Sequence, residues 1–422
     1  MFKHTFVALL MAVPAMATGL DARADKSTVC TITVNSPDEK EVLRRSLPED
    51  QFQFVELVEP GRPDWLQTAC RRKTQCDVLV ISGHFDAGTE FYSGRVDARE
   101  SLKVTEMERI SCSDSCPGLF SQLKEVYLFG CNTLNVATIE STADEIARGL
   151  VRSGQSPAEA DRVAKALNER HSESNQDGMR RIFPNVPVIY GFSRLAPLGP
   201  TAANILTGYF QSTPHAEVGS GRASPALLRS FAAHGMTVTS GLGSSDPRAD
   251  YRRDVCQFSD DGLSAAQMLR FIHTLLGRDM VEVRMFFERI ETFLAALPEA
   301  ERQSPSVTRV LGEIAGDEPA RERYLAFARD VDRPPIRIRM MGVARTLGWL
   351  SPAEERAEFV RVIDEQLAGN AISPAEVDLI CALNANRGLD PELARFNLPQ
   401  WQADEVAHAA VLACLGSATG RA

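Results

Sequence analysis

Two short runs limit what this chain can become. Asp77 to Ile81 and Val126 to Phe129 are nearly unbroken in Val, Leu, Ile and aromatic residues, with no alternation of polar and apolar positions. A strand with one wet face alternates, so an unbroken run is the pattern of a strand covered on both faces, as in a parallel sheet flanked by helices. The first run ends in Ser82-Gly83-His84 and the second in Gly130-Cys131-Asn132-Thr133. Around them the order is strand (Val29 to Val34), a charged helix opened by Ser36-Pro37, strand (Phe52 to Val58), a helix from Pro63 to Ala69, and a later strand, Val186 to Phe192. Strands alternating with helices predict a doubly wound, mostly parallel α/β domain over residues 25–250.

Beyond about residue 250 the pattern changes to helical periodicity. Met268, Leu269, Phe271, Ile272, Leu275 and Leu276 form one broad face; Phe286, Phe287, Ile290, Phe293, Leu294 and Leu297 form another. These are core stripes. Ser351-Pro352-Ala353-Glu354 and Ser373-Pro374-Ala375-Glu376 each carry a Ser cap, a Pro in the first turn and a Glu placed to reach back, two copies of a capping box. An all-α domain is therefore expected over 251–422, a short array similar to HEAT-like repeats but without a clean repeat period.

The N-terminus reads as an export signal. Lys3 and His4 precede an apolar run from Phe6 to Val13, followed by Ala15-Met16-Ala17 or Ala22-Arg23-Ala24 as cleavage sites, which assigns residues 1–24 to a signal peptide and the mature chain to the periplasm or the exterior. The run is too short to cross a bilayer, and no later segment suffices, so no transmembrane segment is expected. A net charge of -10, with its densest basic cluster only Arg71-Arg72-Lys73, argues against a nucleic-acid surface. Export also changes how nine cysteines are read, because an oxidising compartment pairs thiols and an odd count leaves one over. Nearness in sequence suggests Cys70 with Cys76 and Cys112 with Cys116; Cys381 with Cys414 would join two C-terminal helices, and Cys30 with Cys256 follows by elimination. Sequence does not fix this connectivity. Cys131 is the expected free thiol.

In open α/β sheets, residues just beyond the carboxyl ends of strands are the ones placed to do chemistry. Here two such ends carry His84 and Cys131. An imidazole beside a thiol takes its proton and later protonates a leaving amine. Gly83 and Gly130 allow sharp turns and close approach of a substrate chain.

Strand-Ser-Gly-His and strand-Gly-Cys-Asn-Thr resemble the paired motifs of the caspase-like cysteine peptidases. Ser82-Gly83-His84 is similar to the metacaspase histidine motif, and Cys131-Asn132-Thr133 to the CHAT-domain cysteine motif. The spacing of 47 positions between His84 and Cys131 suits caspases. The resemblance covers roughly residues 28–245. It implies a caspase-like fold and an endopeptidase working through an acyl-enzyme on a protein or peptide substrate, with backbone N–H groups of Gly83, Phe85 and Cys131 holding the oxyanion. It also implies that Gly191, Phe192, Ser193 and Arg194 border the substrate cleft, and that the residue before the cleaved bond is strictly selected. The sequence does not separate a basic from an acidic preference there; Arg or Lys is the working expectation.

One position departs from the family: Phe85 follows the His where the family has Gly, and its side chain is positioned to crowd the scissile carbonyl. The competing reading is a catalytically degenerate caspase-like fold that binds a protein partner through its C-terminal helices. No cofactor is expected, and no spacing of His, Cys and carboxylates suggests a metal site.

Overall fold

The computed structural model describes residues 26–389, apart from 60–63, 86–87, 95–99, 114–115, 117, 138–146, 149, 152–153, 172, 214–216 and 368–372, together with 410–411 and 414–415. The expected signal peptide lies outside the described residues. Among these, no helix is long and apolar enough to cross a membrane.

Among the described residues eight strands are formed: β1 (Ser27–Thr33), β2 (Phe52–Glu56), β3 (Val78–Ser82), β4 (Glu90–Tyr92), β5 (Ser101–Lys103), β6 (Glu125–Phe129), β7 (Val188–Phe192) and β8 (Met236–Thr239). Six make one sheet in the order β2-β1-β3-β6-β7-β8, parallel except for the antiparallel edge strand β8; β4 and β5 form a separate antiparallel pair. Among the described residues, the α-helices before residue 260 are α1 (Asp38–Ser46), α2 (Trp65–Arg71), α3 (Val104–Cys112), α4 (Pro157–His171), α5 (Asn175–Ile182), α6 (Gly199–Ser212), α7 (Pro225–Ser230) and α8 (Ala249–Phe258).

The side-chain period of two sorts the sheet into two cores. Cys30, Ile32, Leu79, Ile81, Val126, Leu128 and Ile189 pack with Trp65, Met107 and Ile182 of α2, α3 and α5. Val29, Val78, Val80, Tyr127, Phe129, Val188, Tyr190 and Phe192 pack with Leu43, Leu206 and Leu227 of α1, α6 and α7. Each fully buried Val, Leu or Ile contributes roughly 1.5–3 kcal/mol, so both faces hold the central strands and neither edge sets the register.

The second part is helical: α9 (Ala265–Leu276), α10 (Met280–Ala296), α11 (Glu299–Arg302), α12 (Pro305–Ala315), α13 (Glu318–Asp330), α14 (Pro334–Thr346), α15 (Pro352–Leu367) and α16 (Pro374–Leu383). The two expected stripes lie in its core, with Phe286 and Leu269 fully buried. Both capping boxes form: Ser351 N–H donates to Glu354 and Glu354 N–H to Ser351 Oγ, and Ser373 and Glu376 repeat the exchange.

Three of the four expected cysteine pairings are corrected. Cys30 is bonded to Cys76, Cys70 to Cys116 and Cys112 to Cys256; only Cys381–Cys414 is as expected. The reason is topological. β1 lies beside β3, which brings Cys30 next to Cys76 at the entrance of β3, while Cys112 ends α3 where it meets α8. Ser240 to Ser245, rich in serine and glycine, is packed against the sheet domain at Gly241 and Leu242 and is not free. Gly241 N–H donates to Val186 O, Leu242 N–H to Arg180 O, and Leu242 is buried. A Cβ on Gly241 would collide with Phe183 O, so glycine there reflects close packing.

A buried charge cluster joins the two parts. Glu108 of α3 accepts from Arg181 of α5 at 2.8 Å, from Arg289 of α10 at 2.6 and 3.1 Å, and from Ser259 Oγ at 3.2 Å. Burial alone raises the Glu108 carboxyl; the two guanidinium groups outweigh it and hold the group below the usual carboxylate range.

Candidate active site at the carboxyl end of the sheet

Ser82 and Phe129 are paired across β3 and β6. His84 and Cys131 each stand two positions beyond that pair, so the parallel register sets them level. Both line one narrow cleft with Asn35, Ser36, Glu39, Ser82, Gly83, Phe129, Gly130 and the segment Ala196 to Gly199. Cys131 is half-buried and is the one free cysteine among the described residues.

The His84 loop is fixed by its backbone. His84 and Tyr92 exchange both N–H···O bonds, at 3.0 and 2.9 Å, and their rings lie 5.4 Å apart. Asn35, two residues beyond β1, brings Nδ2 to 3.3 Å from His84 Nε2, and its Oδ1 accepts from Gly94 N–H at 3.1 Å. The second bond orients the Asn35 amide so that its NH2 group faces His84 Nε2.

The Cys131 turn is held from the neighbouring strand. Asn132 adopts a left-handed conformation, φ +57°, which Asn tolerates better than most residues. Its N–H donates to Arg194 O at 2.9 Å and its carbonyl accepts from Asn175 Nδ2 at 2.8 Å. Thr133 Oγ1 donates to Gly130 O and accepts from Phe192 N–H, at 3.2 and 3.0 Å. Gly130 is required for contact: a Cβ would stand 2.8 Å from Phe85 Cβ and 3.0 Å from Gly83 O.

Several expected roles change on this geometry. Gly83 N–H donates to Phe129 O at 3.1 Å, which removes it as an oxyanion donor, whereas the N–H groups of Phe85 and Cys131 have no acceptor among the described residues. The Phe85 side chain does not crowd the cleft; it is 1% exposed and packs 4.6 Å from the Phe91 ring. β7 does lie beside β6, but Gly191 to Arg194 hold the turn instead of bordering the cleft. Phe192 is wholly buried, Gly191 abuts Thr133 and Leu134, Ser193 binds Gly235 O, and the Arg194 guanidinium donates to Ala233 O. The wall comes two residues later, from Ala196 to Gly199.

Sequence reasoning also missed Asn35 and Glu39. Asn35 carried a usable signal, since it lies two residues beyond a strand adjacent to β3. Glu39 carried none: an acid in the first turn of a helix is ordinary. Here it is 3% exposed, accepts from Ser82 Oγ at 2.7 Å and lies on the cleft; burial raises its carboxyl above the usual range and the Ser82 bond only partly offsets this.

No protein-family model matches the chain, and no curated protein matches it.

Proposed function

We propose that this protein is an exported cysteine endopeptidase of caspase-like type. The observation that carries the reading is the placement of His84 and the one free cysteine, Cys131, level with each other on a shared cleft at the ends of adjacent parallel strands. Cys131 Sγ attacks the peptide carbonyl carbon, its proton passing to His84. The new S–C bond forms, and the C–N bond breaks as His84 protonates the leaving amine. Water then hydrolyses the thioester, releasing the acid and the thiol. The N–H groups of Phe85 and Cys131 are the oxyanion donors. Four disulfides support export to a periplasmic or extracellular site.

A second reading has one observation in its favour. Asn35 Nδ2 stands 3.3 Å from His84 Nε2 and so occupies one of the two ring nitrogens, which suits a degenerate fold that binds a partner without turnover. A peptidyl acyloxymethyl ketone separates the two readings. Applied to non-reduced protein, it labels Cys131 alone if the pair is active, and His84→Ala removes the labelling. If the probe leaves Cys131 unmodified while iodoacetamide reaches it equally fast with and without His84, the peptidase reading fails.

A further inference from the structure

The turn after Cys131 is held in a conformation that most residues resist. Asn132 sits at φ +57°, and a non-glycine residue stays in that region only where its neighbours over-determine it. Both peptide groups flanking Asn132 are fixed. Its N–H donates to Arg194 O, and its carbonyl accepts from Asn175 Nδ2 at 2.8 Å and from Asn135 N–H at 3.0 Å. Asn175 is the first residue of α5 and is 8% exposed; its Oδ1 is buried and has no hydrogen-bond partner among the described residues. A buried acceptor left unpaired costs stability. Turning the amide over would set Oδ1 against Asn132 O, so the donor at Asn132 and the orphaned oxygen come together. The far end of α5 lies in the buried charge cluster. Arg181 donates to Glu108, which also accepts from Arg289 of the helical part, and Arg181 O accepts from Arg252 Nε at 2.9 Å. A helix of about two turns thus ties the nucleophile turn to the joint between the two parts of the chain.

We propose that Asn175 is a positioning residue for Cys131, and that α5 carries to it the constraint of the Glu108 cluster, so that the docked helical part holds the nucleophile turn in place. For folding alone the Asn175 amide gives little: it supplies one bond and buries one unpaired oxygen, and Asn132 O keeps the Asn135 N–H when the amide is removed. Truncation therefore takes away a favourable and an unfavourable contact together. Asn132 is then free to leave its left-handed conformation, and Cys131, the residue before it, moves with it. Packed and hydrogen-bonded at both ends, α5 is a contiguous element through which a change at Arg289 reaches the turn. The effect on catalysis rests on the peptidase reading; the hold on the turn does not.

Hydrogen exchange at the Asn132 and Leu134 amides, whose acceptors are Arg194 O and Phe192 O, reads the turn directly. In Asn175→Ala both are expected to exchange at least about tenfold faster than in the parent, with the β1 amides unchanged and Tm within about 3 °C. Asn175→Asp, which keeps the volume and removes the donor, should do the same. Parent-like exchange in either variant, or faster exchange that extends to β1 with a fall in Tm, overturns the positioning role whether or not the protein is a peptidase. Arg289→Lys keeps the charge beside Glu108 and gives up the paired bonds. Exchange at Asn132 and Leu134 that rises about threefold or more, with β1 unchanged, supports α5 as the carrier; unchanged exchange there overturns that part. The chemistry is read as a ratio, since an acyloxymethyl ketone needs the thiol aligned with the Phe85 and Cys131 N–H groups, whereas iodoacetamide needs only an accessible thiolate. Asn175→Ala should slow the first at least about tenfold and the second less than about threefold. Equal slowing of both overturns alignment as the role of Asn175. No acyloxymethyl ketone labelling of the parent removes the peptidase reading, and the exchange measurement then decides the positioning by itself.

Discussion

Asn35 Nδ2 approaches His84 Nε2 to 3.3 Å while Gly94 N–H holds Asn35 Oδ1. An imidazolium at His84 would turn a second donor toward that amide, so Asn35 opposes the charge separation in which Cys131 is a thiolate and His84 is protonated. Asn35→Asp replaces the facing donor by an acceptor and still receives Gly94 N–H. Cys131 in this variant should alkylate roughly tenfold faster at pH 6 than in the parent, with a smaller gain at pH 8. Identical pH profiles would show that Asn35 does not govern the pair.

The two buried glutamates at positions 39 and 108 should affect stability in opposite directions. Glu108 is depressed in the folded state, so its contribution is complete above the unfolded value near 4.3 and is lost as pH falls toward the folded value. Glu108→Gln leaves Arg181 and Arg289 without their anion and should cost about 3–5 kcal/mol at pH 7. Glu39 is raised in the folded state, so folding is favoured below the unfolded value and the advantage disappears as pH rises through the window up to the folded one. Glu39→Gln should therefore match or exceed the parent in Tm at pH 7. Denaturant unfolding at pH 4 and pH 7 checks both signs.

A methyl group at position 191 tests whether β7 supports the nucleophile. A Cβ there would stand 2.6 Å from Thr133 Oγ1 and 2.8 Å from Leu134 Cγ, so Gly191→Ala must displace the turn after Cys131. We expect a stability loss of about 1–3 kcal/mol, together with slower acyloxymethyl ketone labelling. Unaltered labelling would mean that the turn relaxes without moving the thiol.

Non-reducing peptide mapping should recover Cys30–Cys76, Cys70–Cys116, Cys112–Cys256 and Cys381–Cys414, with Cys131 alkylated before any reductant is added. The Cys112–Cys256 link closes the longest loop, 144 residues. Replacing both partners by Ala should lower unfolding free energy by about 4–5 kcal/mol if loop closure dominates. A change below about 1 kcal/mol would show that the Glu108 cluster alone holds α3 against α8 and α10.

Of the five parallel strands, β3 and β6 were legible because strands buried on both faces leave unbroken apolar runs, and β1, β2 and β7 from their β-branched and aromatic content between helix and turn signals. β4, β5 and β8 were not: Glu90–Tyr92 and Ser101–Lys103 have three residues each, and Met-Thr-Val-Thr at the sheet edge carries no such run. The packing of Ser240 to Ser245 is not legible either, because glycine serves both free loops and tight packing, and composition does not tell them apart. Within the site, His84 and Cys131 were readable from their strand ends. Phe85 was misjudged because a residue type does not reveal which way its side chain turns. Gly191 to Arg194 were placed in the cleft when their work is one layer behind it, through Thr133 and Asn132. The burial of Glu39 depends on how α1 closes over β3, a long-range property that no local pattern encodes.

The disulfide connectivity makes the order of synthesis matter. The Cys30–Cys76 and Cys70–Cys116 loops overlap, so neither is contained within the other. Cys70 and Cys76 emerge only six residues apart, and short loops close fastest. In an oxidising compartment the emerging chain can form the wrong pairs Cys30–Cys70 and Cys70–Cys76 before Cys116 appears, and Cys112 can pair with Cys116 before Cys256 is translated. Native protein has to be reached by thiol–disulfide exchange. Its yield should consequently depend on a disulfide isomerase in the host, more than on oxidising power, and the fraction trapped with local pairs sets how much natively folded protein any preparation contains.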